Sequence, residues 1–113
     1  MRIALAGAGA FGIKHLEALA RIDGVEVTSL VGRTLDATRE VAQRFGVGHV
    51  TTELAESLAR PDVDAVILVT PTQLHAEQGV ACLAAGKHVQ IEIPLADSLA
   101  GAEAVAAEQR RTG

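Results

Sequence analysis

Residues 2–22 read RIALAGAGAFGIKHLEALARI. The stretch opens on a strand-length apolar run, Ile3-Ala4-Leu5-Ala6, and passes into glycines at Gly7, Gly9 and Gly12 in the spacing G-x-G-x-x-G. Apolar residues then recur at Phe11, Leu16, Leu19, Ala20 and Ile22, so a helix is expected from about residue 10. Strand, glycine turn and helix, in that order, form the context in which this spacing signifies dinucleotide binding. Gly7 takes a tight turn that a Cβ resists. Gly9 lets a pyrophosphate approach the backbone, and Gly12 lets the helix lie against the strand. Free N–H groups at the helix start, with the helix dipole, attract phosphate charge. The cofactor-binding set expected here is Gly7, Gly9, Ala10, Phe11 and Gly12. The bland alternative is a glycine-rich turn that only joins strand to helix.

Outward from this stretch the chain alternates. Gly24 precedes a β-branched strand over 25–31; Gly32-Arg33 turns; Thr34 stands as the N-cap of a helix with Asp36 in its first turn. The buried stripe of that helix is drawn through Leu35, Val41, Ala42 and Phe45, with Thr38 beside it, and Gly46 stops it. A short strand follows around 49–51. Thr52 is expected to cap a small helix over 53–59, broken by Arg60-Pro61-Asp62. Ala65-Val66-Ile67-Leu68-Val69 is apolar without interruption, as in a central parallel strand covered on both faces. A helix over about 73–85 closed by Gly86, a strand at 89–91, and an alanine-rich helix capped by Asp97 or Ser98 and reaching Arg111 complete the order. Strands alternating with helices predict an α/β fold: a doubly wound parallel sheet of Rossmann type, in three layers α/β/α. Ligands of such sheets sit at the carboxyl ends of strands, where strand order reverses. Residues 7–12, 32–34, 70–75 and 92–94 all fall at such ends.

The chain has 113 residues, the size of one compact domain, and its 49% apolar content suffices for a core. A net charge of −4 without a basic stripe argues against nucleic acid as a partner. Cys82 is the one cysteine, so no internal disulfide can form. That fits a reducing compartment, and the cytoplasm is the expected location. No apolar run reaches membrane-spanning length, and the run at 3–6 is too short for a signal peptide.

NAD-binding versions of the motif place an acidic residue about 20 positions past the glycines, on the ribose 2′-hydroxyl. Here that place reads Val31-Gly32-Arg33-Thr34, and Asp36 comes only inside the helix. Arg33 offers a planar charged donor to a 2′-phosphate. Gly32 is expected to leave room for it, and Thr34 to add a hydroxyl or backbone N–H. The expected cofactor is therefore NADP in preference to NAD. The competing reading is a solvated arginine, or one that stacks on adenine without discriminating.

With these residues in place, the chain resembles the nucleotide-binding half of the glucose–fructose oxidoreductase / inositol dehydrogenase family over nearly its whole length. The carriers are Gly7-Ala8-Gly9-Ala10-Phe11-Gly12 with His15, then Thr70-Pro71-Thr72-Gln73-Leu74-His75, then Ala85-Gly86-Lys87-His88-Val89. The resemblance implies a Rossmann domain over 1–113, followed in the parent protein by an α/β substrate domain. It also implies hydride transfer between a nicotinamide and a hydroxyl or hemiacetal carbon of a small molecule. Family members usually carry Glu-Lys-Pro after the fifth strand, the lysine contacting substrate and assisting proton transfer. This chain has Glu92-Ile93-Pro94, so the lysine role does not carry over. The ending at 90–97 is similar to the 4-carboxy-2-hydroxymuconate-6-semialdehyde dehydrogenase branch, which oxidises a cyclic hemiacetal with NADP. An acidic, already activated substrate of that kind tolerates the loss of a lysine base.

The remaining candidates cluster late in the chain. Thr70, Pro71, Thr72 and His75 are expected to floor the nicotinamide side of the crevice. Glu92 is expected to bond the nicotinamide ribose or meet substrate, or equally to be a satisfied polar group at the strand end. His75 and Glu92 are the catalytic candidates, although a base must reach the reacting proton. His15 is expected to pack or cap, and His49 and His88 to be structural. Histidines and Cys82 lack metal-ligand spacing, so no metal is expected, and Cys82 reads as a core thiol. For the Ile93–Pro94 bond both isomers stay open, a cis bond being one alternative although most such bonds are trans. Two other classes share the glycine turn: a nucleotide-sensing regulatory module, and a methyltransferase, which would keep an acidic ribose partner. A homo-oligomer is expected, as is no turnover by residues 1–113 alone.

Overall fold

The computed structural model describes residues 1–113. Strands β1 (Arg2–Ala6), β2 (Glu26–Val31), β3 (His49–Thr51), β4 (Ala65–Leu68) and β5 (His88–Ile91) alternate with helices α1 (Ala10–Leu19), α2 (Leu35–Phe45), α3 (Leu54–Leu58), α4 (His75–Ala84) and α5 (Leu99–Thr112). The strands form one parallel sheet in the order β3-β2-β1-β4-β5. The chain thus walks outward from β1 to β3, then returns to the other side of β1 with β4. The reversal lies between β1 and β4, and the crevice of such a sheet opens there.

The period of two along β1 divides the core. Ile3 and Leu5 join one cluster with Leu16 of α1, Leu30, Ala42 of α2, Val47 and Ile67. Ala4 and Ala6 join the opposite cluster with Val31, Val63, Val66, Leu68 and Cys82 of α4. Four buried positions in a row in both β1 and β4 follow from cover on two faces. Helix α5 packs against α4, and Gly79 of α4 faces both neighbours: a Cβ there would lie 2.8 Å from Ile91 Cδ1 of β5 and 3.5 Å from Val105 Cγ2 of α5. Buried polar groups are paired. The Ser29 hydroxyl meets His49 Nδ1 and the Ser57 hydroxyl, each at 2.7 Å. Lys87 Nζ donates to the carbonyls of Val63 (2.6 Å) and Arg60 (3.1 Å).

Several local expectations are corrected. In α1 the buried residues are Gly12 and Leu16, while Phe11 is 71% exposed. Position 11 lies in the first helical turn, at the crevice end of α1, away from the sheet face. In α2 the buried stripe runs through Thr38 and Ala42, and Leu35 is exposed. Thr38 is tolerated in the core because its hydroxyl donates to the Thr34 carbonyl (2.6 Å). The hydroxyl at the start of α3 belongs to Thr51, not Thr52; it accepts from the Glu53 N–H at 3.0 Å. The helix after β4 begins as a 3-10 turn, Thr72–Leu74, and becomes α-helical at His75. Ser98, not Asp97, caps α5, accepting from the Gly101 N–H at 3.0 Å. Of its two isomers the Ile93–Pro94 bond takes cis. Gly46 and Gly86 end their helices with positive φ as expected.

At the amino-terminal edge of the sheet the Arg2 guanidinium and backbone N–H both donate to Asp64. These bonds hold the Asp64 carboxyl at about 2, below its ordinary 3.8. A carboxylate whose pKa is depressed by folding adds stability above its unfolded value and loses it as pH falls through the folded one. The melting-temperature gap between the native chain and Asp64→Asn should therefore be full near about pH 6 and close between about pH 4 and pH 2. A gap that stays constant through that range would refute the assignment.

Candidate functional site

Four turns meet at the carboxyl edge of the sheet. Past the strands the backbone ladder continues: Gly7 N–H donates to Val31 O (2.8 Å), Gly32 N–H to Thr51 O (3.1 Å), Val69 N–H to Ala6 O (2.8 Å) and Glu92 N–H to Leu68 O (3.0 Å). These bonds bring residues 7–12, 32–34, 70–75 and 92–94 to one rim.

The glycine turn has the geometry an anion requires. Gly7 has φ +119°, and a Cβ there would lie 2.7 Å from the Val69 carbonyl oxygen. A Cβ on Gly12 would lie 1.9 Å from the Gly7 carbonyl oxygen. Gly9 is the N-cap of α1, offers no side-chain cap, and has open space where a Cβ would be. The first backbone bond of the helix is Ile13 N–H to Gly9 O (2.9 Å). The N–H groups of Ala10, Phe11 and Gly12 therefore stand free at the rim, with the positive end of the helix behind them. That arrangement fits a pyrophosphate.

At the end of β2, Arg33 and Thr34 are exposed. Thr34 is the N-cap of α2 without a side-chain cap bond, so its hydroxyl is available. Asp36 lies 4.0 Å from Arg39 and does not draw on Arg33. The space expected beside Gly32 is already filled: a Cβ there would fall 1.9 Å from Thr38 Oγ1. Gly32 thus admits the α2 core, and the open side of this turn belongs to Arg33 and Thr34.

Across the crevice, the Thr70 hydroxyl donates to Gln78 Oε1. Pro71 is exposed and Thr72 half-buried. His75 is only 2% exposed. Its Nδ1 meets the Pro94 carbonyl at 2.8 Å and its Nε2 the Thr70 carbonyl at 2.7 Å. Neither nitrogen is left for proton transfer to a ligand. Each ring nitrogen faces a carbonyl, and the tautomer decides which of them receives an N–H. Glu92 Oε1 accepts from His15 Nε2 at 3.0 Å, with the side chains 40% and 23% exposed. His15, read from sequence as a packing or capping residue, instead bridges α1 to the end of β5 across the crevice. Only its place one turn after Gly12 hinted at this. His49 is structural, bonded to Ser29, whereas His88 is exposed on the outer strand. Burial pushes the Cys82 thiol up to about 12, which leaves no thiolate for nucleophilic chemistry. No helix is long and apolar enough to cross a membrane.

A parallel sheet reversing between β1 and β4, with bare amides over that reversal, defines a dinucleotide-binding Rossmann domain. Residues 1–113 match the oxidoreductase family, NAD-binding Rossmann fold, and the chain belongs to that family, the glucose–fructose oxidoreductase / inositol dehydrogenase group. It is 63% identical over 113 residues to the 4-carboxy-2-hydroxymuconate-6-semialdehyde dehydrogenase of Sphingobium sp. strain SYK-6, covering 100% of this chain and 36% of that protein. Among solved structures it is similar to GenD2 from gentamicin A biosynthesis in complex with NAD: TM-score 0.94, 34% identity, 100% of this chain and 32% of that one. It is also similar to KijD10, a 3-ketoreductase from Actinomadura kijaniata in complex with TDP-benzene and NADP: TM-score 0.90, 35% identity, 99% of this chain and 35% of that one. The chain spans about a third of the length of these relatives. It is the nicotinamide-dinucleotide-binding Rossmann domain of that family.

The glycines separate into two kinds of test. Gly12→Ala should lower the melting temperature by about 5–15 °C, since overpacking against fixed backbone costs about 1–3 kcal/mol. Gly9→Ala should leave the melting temperature within about 2 °C yet weaken nucleotide binding, because its Cβ enters only the space of the phosphates. Equal melting temperatures for the two variants would contradict this division.

Proposed function

We propose that the chain is the NADP-binding domain of a dehydrogenase acting on a small hydroxyl or cyclic hemiacetal substrate. The observation that carries this reading is the row of free amides at Ala10, Phe11 and Gly12, flanked at the end of β2 by an exposed Arg33 with no carboxylate beside it. The pyrophosphate rests on the amides. Arg33 and Thr34 take the 2′-phosphate, Arg33 through a charge-assisted fork. The adenosine half then lies over β2, and the nicotinamide half over β4 and β5. There Thr70, Pro71, Thr72 and Glu92 form its floor and His75 braces it from below. The bound nicotinamide supplies hydride acceptance or donation.

The substrate reading leans on the ending Glu92-Ile93-Pro94, where an apolar residue stands 90% exposed beside the carboxylate. It also leans on the 63% identical relative named for a semialdehyde. A cyclic hemiacetal of such a compound already carries an acidifiable hydroxyl and needs less help from a base. In this reading residues 1–113 act together with a second α/β domain that closes over the nicotinamide and completes the substrate pocket, and the whole works as a cytoplasmic homo-oligomer. β5 is one of the two edge strands of the sheet.

Fluorescence titration tests the cofactor choice; the chain has no Trp or Tyr, so the nicotinamide signal is unobscured. Arg33→Ala should weaken NADPH binding about 10- to 100-fold, the worth of a charge-assisted bond, and change NADH binding less than about twofold. Equal loss for both nucleotides would remove the 2′-phosphate role.

A further inference from the structure

The segment at 92–94 is gripped at both ends. Its carboxylate, on Glu92, is held by His15 of α1 at 3.0 Å. Its last carbonyl, on Pro94, is held by His75 of α4 at 2.8 Å, and the same ring reaches the Thr70 carbonyl at 2.7 Å. The two histidines come from helices on opposite faces of the sheet, since Leu16 of α1 and Cys82 of α4 belong to opposite core clusters. Glu92 Oε1 is occupied, and Oε2 makes no bond within the chain. Between the two grips, Ile93 stands almost fully exposed.

We propose that His15 and His75 are positioning residues for the nicotinamide half of the crevice: together they fix the 92–94 segment so that Glu92 presents its free oxygen to a ribose hydroxyl. The inference rests on the cofactor placement above. The strand order carries it further. Adenosine lies on the β2 side of the reversal and nicotinamide on the β4–β5 side, so the His15–Glu92 bridge spans the crevice under the second half of the ligand only. Without His15, the Glu92 side chain regains its rotamers and must be ordered again when the ribose arrives. A preorganised acceptor avoids that cost. His75 acts one step further back, tying the β4 and β5 turns into one frame through their carbonyls.

The test compares two probes on the 113-residue chain: NADPH, and adenosine 2′,5′-bisphosphate, which keeps the adenine half and lacks the nicotinamide riboside. His15→Ala should raise the dissociation constant for NADPH about tenfold and leave that for the bisphosphate unchanged. His15→Gln, which keeps an N–H donor for Glu92, should recover most of the loss. The double variant His15→Ala/Glu92→Gln should bind NADPH no worse than Glu92→Gln alone. His75→Gln, read the same way, should also weaken NADPH more than the bisphosphate. Loss of affinity for both probes alike, or for neither, would overturn the positioning role while leaving the cofactor reading intact. A native chain that binds neither probe would overturn both.

Discussion

A methyl group on Gly12 would fall 1.9 Å from the carbonyl oxygen of Gly7, so α1 starts where it does only because residue 12 carries none. That approach sets the helix axis against the end of β1. It leaves the amides of the first turn facing outward over the strand reversal, where no other part of the chain satisfies them. The rest of the rim is built to the same reference. Gly7 bonds back to Val31 of β2 and crowds Val69 past β4, so one residue registers three strand ends. A buried strand pair with apolar cover on both faces keeps that register stiff.

From this fixed point the two sides of the crevice diverge in chemistry. Toward β2 the rim is cationic and open, with Arg33 exposed and Thr38 packed beneath Gly32 as the sill. Toward β5 it is a network of short polar links, Thr70 to Gln78, His75 to two carbonyls, and His15 to Glu92. One side is suited to a point of high negative charge, the other to sugar hydroxyls held in a set orientation. On the proposed reading, an asymmetric dinucleotide has one sensible direction across the sheet.

The strands and the glycine turn were legible because their causes are local. An unbroken apolar run says two-sided burial, and G-x-G-x-x-G between strand and helix says close backbone approach. Helix faces were less legible: Phe11 and Leu35 look like core by composition, yet each lies exposed in the first turn of its helix. Thr38 went the other way, because a hydroxyl bonded within its own helix behaves as a small apolar group. The bridge from His15 to Glu92 joins positions 77 apart, and nothing in either neighbourhood names the other. It became visible only once the strand order placed β5 two strands from β1. His75 lies buried behind the carboxyl edge of the sheet. Its two nitrogens were committed to backbone carbonyls that no side-chain pattern reveals.

The most direct test follows the free amides themselves. In a 1H–15N correlation experiment with inorganic pyrophosphate and then NADPH, the account predicts that both ligands move the backbone signals of Ala10, Phe11 and Gly12 most. NADPH should in addition move those around Arg33 and Glu92. Strong shifts confined to another surface, with the three amides unmoved by either ligand, would contradict it.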